Sequence, residues 1–304
     1  MCNVIDQASA IVTDALTGKR PRPNVASFFD APTASVTHVL HDPASRSAMI
    51  VDPVLDFDAA SGRTSRRSVD LVTDHVAAHG LSVEWIIDTH VHADHLSAAT
   101  VLRERLGGRI GIGRAVLDVH GRLGGLFGMA PTTGDGFDRL FDDGGTFALG
   151  GIACMALYVP GHTPADMAFV VGDTVLTGDT LFMPDFGTAR ADFPGGDAAQ
   201  LFRSTRRLLA LPGDTRLLHC HDYPPAGRAG PAWTSTVAEQ RATNIHVRDG
   251  ATEADFVAMR TARDATLAMP TLMLPSIQVN LHAGRLPEPA ADGRRYLRLP
   301  IDTL

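Results

Sequence analysis

The sequence has few cysteines and no long apolar stretch among its 304 residues. Its three cysteines (Cys2, Cys154 and Cys220) cannot build a disulfide framework, and none lies in a C-x-x-C pair. No run approaches the ~18–20 consecutive apolar residues that cross a bilayer. The N-terminal region includes Asp6 and Asp14 and lacks the basic start and apolar block of a signal peptide. We therefore expect a cytoplasmic protein with no membrane partner.

The chain also lacks an excess of basic residues. It has 27 Lys and Arg against 34 Asp and Glu, which gives a formal net charge of −7. A protein that binds duplex nucleic acid must neutralise phosphates with a basic surface, so this balance argues against a nucleic-acid partner. Histidine, in contrast, is abundant at 13 residues, and its placement indicates chemistry.

Strand and helix patterns alternate along the chain and predict an α/β fold. Helices are predicted over 68–79, with Ser68 as N-cap, and over 96–106 and 197–211. Because the strands come as hairpin-like pairs rather than strict βαβ units, we expect a sandwich of mixed sheets with helices outside. We predict one domain over 25–240, with an N-terminal segment over 1–24 and a C-terminal extension over 241–304 packed on the same domain. Strands are predicted over 34–41, 47–52, 83–88, 146–149, 152–159, 167–171, 174–177 and 215–220.

The segment His90-Val-His-Ala-Asp-His95 follows a predicted buried strand. His90 and His92 are spaced i, i+2, and Asp94 and His95 are predicted to begin the next helix, so the turn directs several side chains into one cleft. Neutral imidazoles offer lone pairs and a carboxylate offsets metal charge, so this density of ligands suits a transition metal. The alternative is a solvated polar turn, which a lone His-x-His fits equally well. The longer motif favours a metal site.

Two further segments each supply one candidate ligand just after a predicted strand. Gly161 permits a backbone geometry that turns His162 out of the sheet. Asp179 follows a strand and a glycine. Taken alone, His162 fits a loop histidine and Asp179 fits a turn residue or helix cap.

The segment after the last predicted core strand contains two more histidines. His219 and His221 are predicted to project to the same side of an extended chain, which places Cys220 on the opposite side. We interpret Cys220 as a core residue because no second cysteine lies near it to complete a thiolate site. Cys154, inside an apolar run, is also predicted to be core, and Cys2 is not expected to be catalytic.

Taken in this order, the four segments resemble the metallo-β-lactamase superfamily over roughly residues 25–225. The resemblance implies an αββα sandwich of two mixed sheets with helices on the outer faces and the metal ligands at one edge. For a first metal, the implied ligands are His90, His92 and His162. For a second metal they are Asp94, His95 and His221, with Asp179 bridging the two.

Other motifs are similar to those of the persulfide dioxygenases, the ethylmalonic-encephalopathy-type branch. They include the Gly-x-x-Arg-x-Asp-Phe pattern within 187–193 and the His-Asp-Tyr at 221–223. Segments 52–58 and 274–284 are similar to the bacterial members, which include β-lactamase-hydrolase-like proteins. The resemblance implies one Fe(II) per chain, held by His90, His162 and Asp179, that oxidises glutathione persulfide with O₂ to sulfite and glutathione. The remaining residues would then orient ligands and waters; they are His92, Asp94, His95 and His221.

The resemblance also implies roles for residues near the metal. Arg190 is expected to bind a glutathione carboxylate, the alternative being an ion pair with Asp192. Tyr223 is expected to donate a hydrogen bond to persulfide or oxygen, the alternative being a core tyrosine. Thr163 is expected to contact substrate, and Asp94 to act with Tyr223 in catalysis. Because family members are often dimers, the expectations include a homodimer.

Two other functions are compatible with these ligands. The first is a binuclear zinc thioester hydrolase of the glyoxalase II type, in which a metal-activated hydroxide attacks an acyl-glutathione. The second is a silent metal-binding sensor, which predicts a lost ligand or a reactive cysteine pair, and the sequence shows neither. The set of ligand types does not separate one iron from two zincs.

Overall fold

Two six-stranded sheets pack against each other in the computed structural model, which describes residues 3–303. The strands are β1 (Asn24–Asp30), β2 (Ser35–His41), β3 (Ser47–Val51), β4 (Val54–Leu55), β5 (Phe57–Asp58), β6 (Arg63–Thr64), β7 (Ser82–Ile87), β8 (Leu96–Ser97), β9 (Arg109–Gly113), β10 (Arg139–Phe141), β11 (Thr146–Leu149), β12 (Ile152–Tyr158), β13 (Met167–Val171), β14 (Thr174–Leu176), β15 (Arg216–Leu218) and β16 (Thr234–Thr236). The α-helices are α1 (Val4–Leu16), α2 (Arg67–Ala78), α3 (Ala99–Leu106), α4 (Val116–Leu123), α5 (Ala198–Leu208), α6 (Val237–Thr243), α7 (Glu253–Asp264) and α8 (Met273–Asn280).

Both sheets are mixed. The first has the order β1-β2-β3-β7-β9-β10, antiparallel as far as β3 and parallel from β3 to β10. The second has the order β11-β12-β13-β14-β15-β16, in which only β14 and β15 are parallel neighbours among the described strands. This arrangement confirms the predicted α/β sandwich of mixed sheets.

Apolar side chains from both sheets fill the space between them. Met49 and Trp85 of the first sheet share one buried cluster with Phe169 and Leu176 of the second. These four side chains are at most 1% exposed. Because burial of large apolar side chains is the main stabilising contribution to a fold, this layer fixes the two sheets relative to each other.

Helices cover the outer faces of the sandwich. Helices α2 and α3 pack on the first sheet through Val72 and Leu102, among others. Helices α1, α5 and α7 pack on the second through Val12, Leu201 and Phe256. None of the helices within residues 3–303 has the length and apolar character required to span a membrane.

The C-terminal part of the chain returns to the body through α8. This helix lies beside β8, and its Val279 belongs to the same buried cluster as the helices on the first sheet. Met273 and Ile277 pack against α4. Helix α8 therefore reaches the loop that follows β7, which contains four of the predicted ligands.

Two predicted helix starts are wrong. Helix α2 begins at Arg67, and Ser68 lies in its first turn instead of capping it, because Asp56 accepts hydrogen bonds from both the backbone N–H and the hydroxyl of Ser68. Helix α3 begins only at Ala99, because the two residues before Ala98 form β8 and pair with β4. The ligands up to His95 therefore lie in an irregular loop and not in a helix.

Candidate metal centre

The predicted ligand segments meet where strands of both sheets end. His90 follows β7, His162 follows β12 and Asp179 follows β14. One ligand atom of each lies within 4.8 Å of those of the others. The Nε2 atoms of His162 and His90 lie 3.3 and 3.9 Å from Asp179 Oδ2. The structure thus brings together the three residues implied as iron ligands.

A second group adjoins the first. His92, Asp94, His95 and His221 also offer ligand atoms within 4.8 Å of one another. His221 Nε2 lies 3.3 Å from Asp94 Oδ2 and 3.6 Å from Asp179 Oδ1. The two oxygens of Asp179 therefore face different groups. The second group contains Asp94, His95 and His221, the residues implied as ligands of a second metal, and also His92, which the resemblance implied for the first.

In four of the imidazoles one ring nitrogen is held by a hydrogen bond, which leaves the other nitrogen free. The holding contacts are His90 Nδ1 with Thr89 Oγ1 (3.0 Å), His92 Nε2 with Asp52 Oδ1 (2.9 Å), His162 Nδ1 with Arg190 O (2.8 Å) and His221 Nδ1 with Ala34 O (3.1 Å). Within residues 3–303, His90 Nε2, His92 Nδ1 and His95 Nε2 are buried and have no hydrogen-bond partner. Buried polar atoms are seldom left unpaired, so these nitrogens and the adjacent carboxylates fit a transition metal.

Asp52 organises this loop from the turn after β3. Its backbone has a φ of +51°, a strained value for a residue other than glycine. Its carboxylate accepts hydrogen bonds from the Thr89 N–H at 2.7 Å and the Thr89 hydroxyl at 3.0 Å, and it pairs with His92. From the sequence, residue 52 only ends a predicted strand and begins a segment similar to the bacterial family members, and neither observation indicates this role.

The neighbouring imidazoles stabilise the ionised carboxylates of the metal centre. Burial alone would raise the pKa of Asp179, but the His221, His162 and His90 imidazoles lower it to about 2. Burial also opposes ionisation of Asp94, yet His221 and His95 hold its pKa well below the usual value. Both carboxylates are therefore ionised and available as ligands at neutral pH.

Gly161 has a backbone conformation that favours glycine, as predicted for the residue before His162. Its φ is +144°, and a Cβ built there would lie 2.3 Å from the Leu201 backbone of α5. Only glycine allows this close approach of the loop to the helix. The loop can consequently direct His162 toward Asp179.

The prediction that His219 and His221 project to one side of the chain and Cys220 to the other is wrong. His219 lies outside the metal centre, where it contacts Leu181 O at 2.8 Å and Ser235 Oγ at 2.9 Å. Cys220 is buried, as predicted, but its Sγ lies 2.6 Å from Asp179 Oδ1 and so faces the centre. The reason is that β15 ends at Leu218, after which a strand's period of two no longer applies. Cys2 lies outside the described residues.

A cavity of about 810 Å³ opens beside the metal centre. Asp94, His162, Asp179 and His221 lie on its wall. Most of the remaining lining is apolar and includes Pro32, Phe182, Phe186, Phe193, Leu272 and Met273. A concave apolar surface with a few convergent polar groups is typical of a small-molecule site.

Of the three residues expected to bind substrate, two line the cavity and the third does not. Tyr223 lines the cavity, is 38% exposed and stacks on His221 with ring centroids 5.7 Å apart. Arg190 also lines the cavity, but its guanidinium is bound to Asp192 at 2.5 and 2.7 Å, as in the alternative interpretation. Thr163 is fully buried and bonded to Asp166, so the structure does not bring it to the cavity.

Asn280 of α8 is a further residue whose contact with the candidate ligands was not predicted from the sequence. Its side-chain N–H groups donate to the carbonyls of His92 and His95, both at 2.8 Å, and its Oδ1 accepts from the Ser97 N–H at 2.7 Å. The segment 274–284 carried a family resemblance, but nothing in it indicated a contact with a loop almost 190 residues earlier.

Comparison with known proteins agrees with this geometry. Residues 39–221 match the family model of the metallo-β-lactamase superfamily. A probable metallo-hydrolase of Burkholderia pseudomallei is 53% identical over 92% of this chain and 99% of its own length. A β-lactamase hydrolase-like protein of Agrobacterium fabrum is 50% identical over 93% of this chain, which spans 65% of that longer protein.

Persulfide dioxygenases are also among the relatives. Human mitochondrial persulfide dioxygenase ETHE1 is 31% identical over 71% of this chain and 73% of its own length. The crystal structure of ETHE1 from Myxococcus xanthus superposes with a TM-score of 0.69 and 28% identity, covering 86% of this chain and all of that one. The chain therefore belongs to the metallo-β-lactamase superfamily, and its homologues include persulfide dioxygenases and a probable metallo-hydrolase.

Proposed function

We propose that this protein is a persulfide dioxygenase that holds one Fe(II) with His90, His162 and Asp179. Glutathione persulfide, O₂ and water are converted to glutathione and sulfite, and the outer sulfur loses the four electrons that O₂ gains. The observation that carries the proposal is the close group of two imidazoles and one carboxylate beside an open apolar cavity. Such a ligand set leaves coordination positions free, as non-haem iron oxygenases require.

Bound iron supplies the one-electron chemistry that allows O₂ to react with a thiolate. The chain supplies orientation. The Tyr223 hydroxyl has no hydrogen-bond partner in the part of the chain that the structure describes. Partial burial and the nearby charges of Asp94 and Asp179 raise its pKa, so it remains a donor for the persulfide or oxygen. Ser35 donates to Asp94 at 3.1 Å. Because its neighbouring histidines lower the pKa of Asp94, the carboxylate is ionised and can accept a hydrogen bond from the water that the reaction consumes.

Oxygen consumption with glutathione persulfide on iron-loaded protein tests the proposal. We expect about one iron per chain by anaerobic metal analysis, and one sulfite for each O₂ consumed. His162→Ala and Asp179→Ala are expected to lose iron and turnover, because each removes one of three ligands. The exposed histidine variant His79→Ala is the matched control and keeps both. Full iron and activity in either ligand variant would contradict the assignment.

The second candidate is a binuclear zinc thioester hydrolase. It is favoured by the intact second group of His92, Asp94, His95 and His221, and by the metallo-hydrolase among the relatives. It predicts two tightly bound zincs and hydrolysis of an acyl-glutathione without oxygen uptake. That pair of results would replace the dioxygenase proposal.

A further inference from the structure

Three arginines line the apolar cavity, and two of them already have carboxylate partners. Arg190 is bound to Asp192 through two hydrogen bonds. Arg260 is almost fully buried and is bound to Asp264, with Nε 2.8 Å and its terminal nitrogen 2.6 Å from Oδ1. The charges of these two guanidinium groups are therefore matched within the protein.

Arg263, in the last turn of α7, is different. Within residues 3–303, no carboxylate lies at ion-pair distance from its guanidinium, which is half-buried at the cavity wall. Its neighbours are the Phe186 ring, 5.3 Å from the guanidinium carbon, and His246 Nε2 at 3.5 Å. Burial, together with Arg260 and Arg263, lowers the pKa of His246 to about 4, so this neighbour is neutral at pH 7. Arg263 therefore presents an unmatched positive charge to the cavity.

An aromatic surface connects Arg263 with the metal centre. The Phe186 ring packs against Tyr223 with centroids 4.9 Å apart, and Tyr223 stacks on His221. A molecule whose sulfur lies at the metal centre can extend its carbon skeleton along this wall. Its other end then reaches the guanidinium, whose planar fork matches the geometry of a carboxylate.

We propose that Arg263 binds a carboxylate of the thiol carrier and is the specificity-determining residue of the cavity, the role expected of Arg190 from the sequence. This inference rests on the proposed function for the position of the sulfur. Arg190 instead serves the fold, since its side chain binds Asp192 and its backbone carbonyl holds His162.

Calorimetric titration with S-methylglutathione tests the proposal directly. This thioether has the carboxylates of glutathione but no persulfide sulfur to oxidise. Arg263→Met is expected to raise its Kd about 10- to 100-fold, the effect of losing a charged hydrogen-bonded pair. Arg263→Lys, which keeps the charge without the fork, is expected to lie between this variant and the wild type. The control Arg248→Met removes an exposed arginine outside the cavity and should leave Kd unchanged.

Turnover separates this inference from the proposed function. If the wild type consumes O₂, Arg263→Met should raise KM for glutathione persulfide by a similar factor with little change in kcat. Unchanged Kd and KM in that variant, or no binding of S-methylglutathione to the wild type, would overturn the role of Arg263. If the wild type consumes no O₂ but binding still depends on Arg263, the dioxygenase proposal fails and the carboxylate site stands.

Discussion

At the scale of single residues, the family resemblance of the sequence predicted the candidate ligands that the structure brings together, whereas the residues that contact and orient them could not be predicted. His90 lies in a dense motif of potential ligands, and the resemblance to the family added His162 and Asp179, each of which follows a strand. Asp52 and Asn280 are single polar residues with no such pattern, and their partners are far away in the chain. Their roles depend on tertiary contacts that neither spacing nor composition encodes.

Cys220 illustrates a supporting contact that is testable at this scale. Burial and the charge of Asp179 raise the pKa of the thiol, so it remains a protonated donor to Asp179 Oδ1. Cys220→Ala removes that donor, and we expect metal affinity to fall about tenfold, as for other partners of metal ligands. Cys220→Ser keeps a donor and should stay within a few-fold of the wild type. Competition with a chelator gives both values, and an Ala variant with wild-type affinity would show that the contact does not orient Asp179.

At the scale of secondary structure, every predicted strand has a counterpart in the structure, but eight of the sixteen strands within residues 3–303, among them β1, β9 and β10 of the first sheet, were not predicted. Two predicted elements also have misplaced ends. The predicted helix over 96–106 begins late because β4 pairs with Leu96 and Ser97. The predicted strand over 215–220 ends early, so that Cys220 faces the metal centre. Long-range pairing decides both boundaries, and a local pattern cannot include it.

Helix α8 contacts the loop that follows β7, and its contribution to stability and metal binding can be measured. Asn280→Ala leaves two loop carbonyls and the Ser97 N–H without their partner, so we expect a loss of about 2–4 kcal/mol in unfolding free energy and weaker metal binding. Gln278→Ala, on the same helix, removes the hydrogen bonds of this side chain with Leu274 and Arg298, and within residues 3–303 it forms none with the loop that follows β7. It should lower stability but leave metal affinity unchanged. Equal metal affinity in both variants would limit α8 to a stabilising role.

At the scale of the whole molecule, the alternation of strand pairs and helices predicted the two-sheet sandwich, and the motif order predicted the superfamily. The sequence did not predict how the sheets are joined beside the metal centre. His38 of β2 lies 2.9 Å from the carbonyl of His219 beyond β15, so a buried imidazole links the two sheets. No role could be predicted for this histidine from the sequence, because it is an isolated polar residue within a predicted strand.

This link predicts how stability depends on pH. Burial lowers the pKa of His38 to about 4, although its hydrogen bond with His219 opposes the shift. The unfolded chain takes up a proton at this residue below about pH 6.5, whereas the folded chain does so only near pH 4. The folded state therefore loses about 3 kcal/mol from this group as pH falls from 6.5 to 4.

His38→Gln should remove the contribution of this residue to the pH dependence of stability, because it replaces the titrating side chain with a neutral one; the contributions of other buried histidines, such as His246, remain. Urea denaturation at pH 7 and pH 4.5 measures the unfolding free energies, and the comparison with the wild type cancels metal release common to both proteins. His79→Gln, at an exposed position, should behave as the wild type does. Equal pH dependence in His38→Gln and wild type would show that this histidine is not the titrating link.

Residues 253–283 contain both Arg263, at the cavity, and Asn280, which contacts the loop that follows β7. One stretch of chain therefore lines the cavity and also contacts the loop with four of the candidate ligands. On the roles proposed for Arg263 and Asn280, single substitutions should change thiol binding and metal retention separately, whereas a change in the path of this stretch should affect both. Exchanging it between homologues should transfer both properties as one inherited unit.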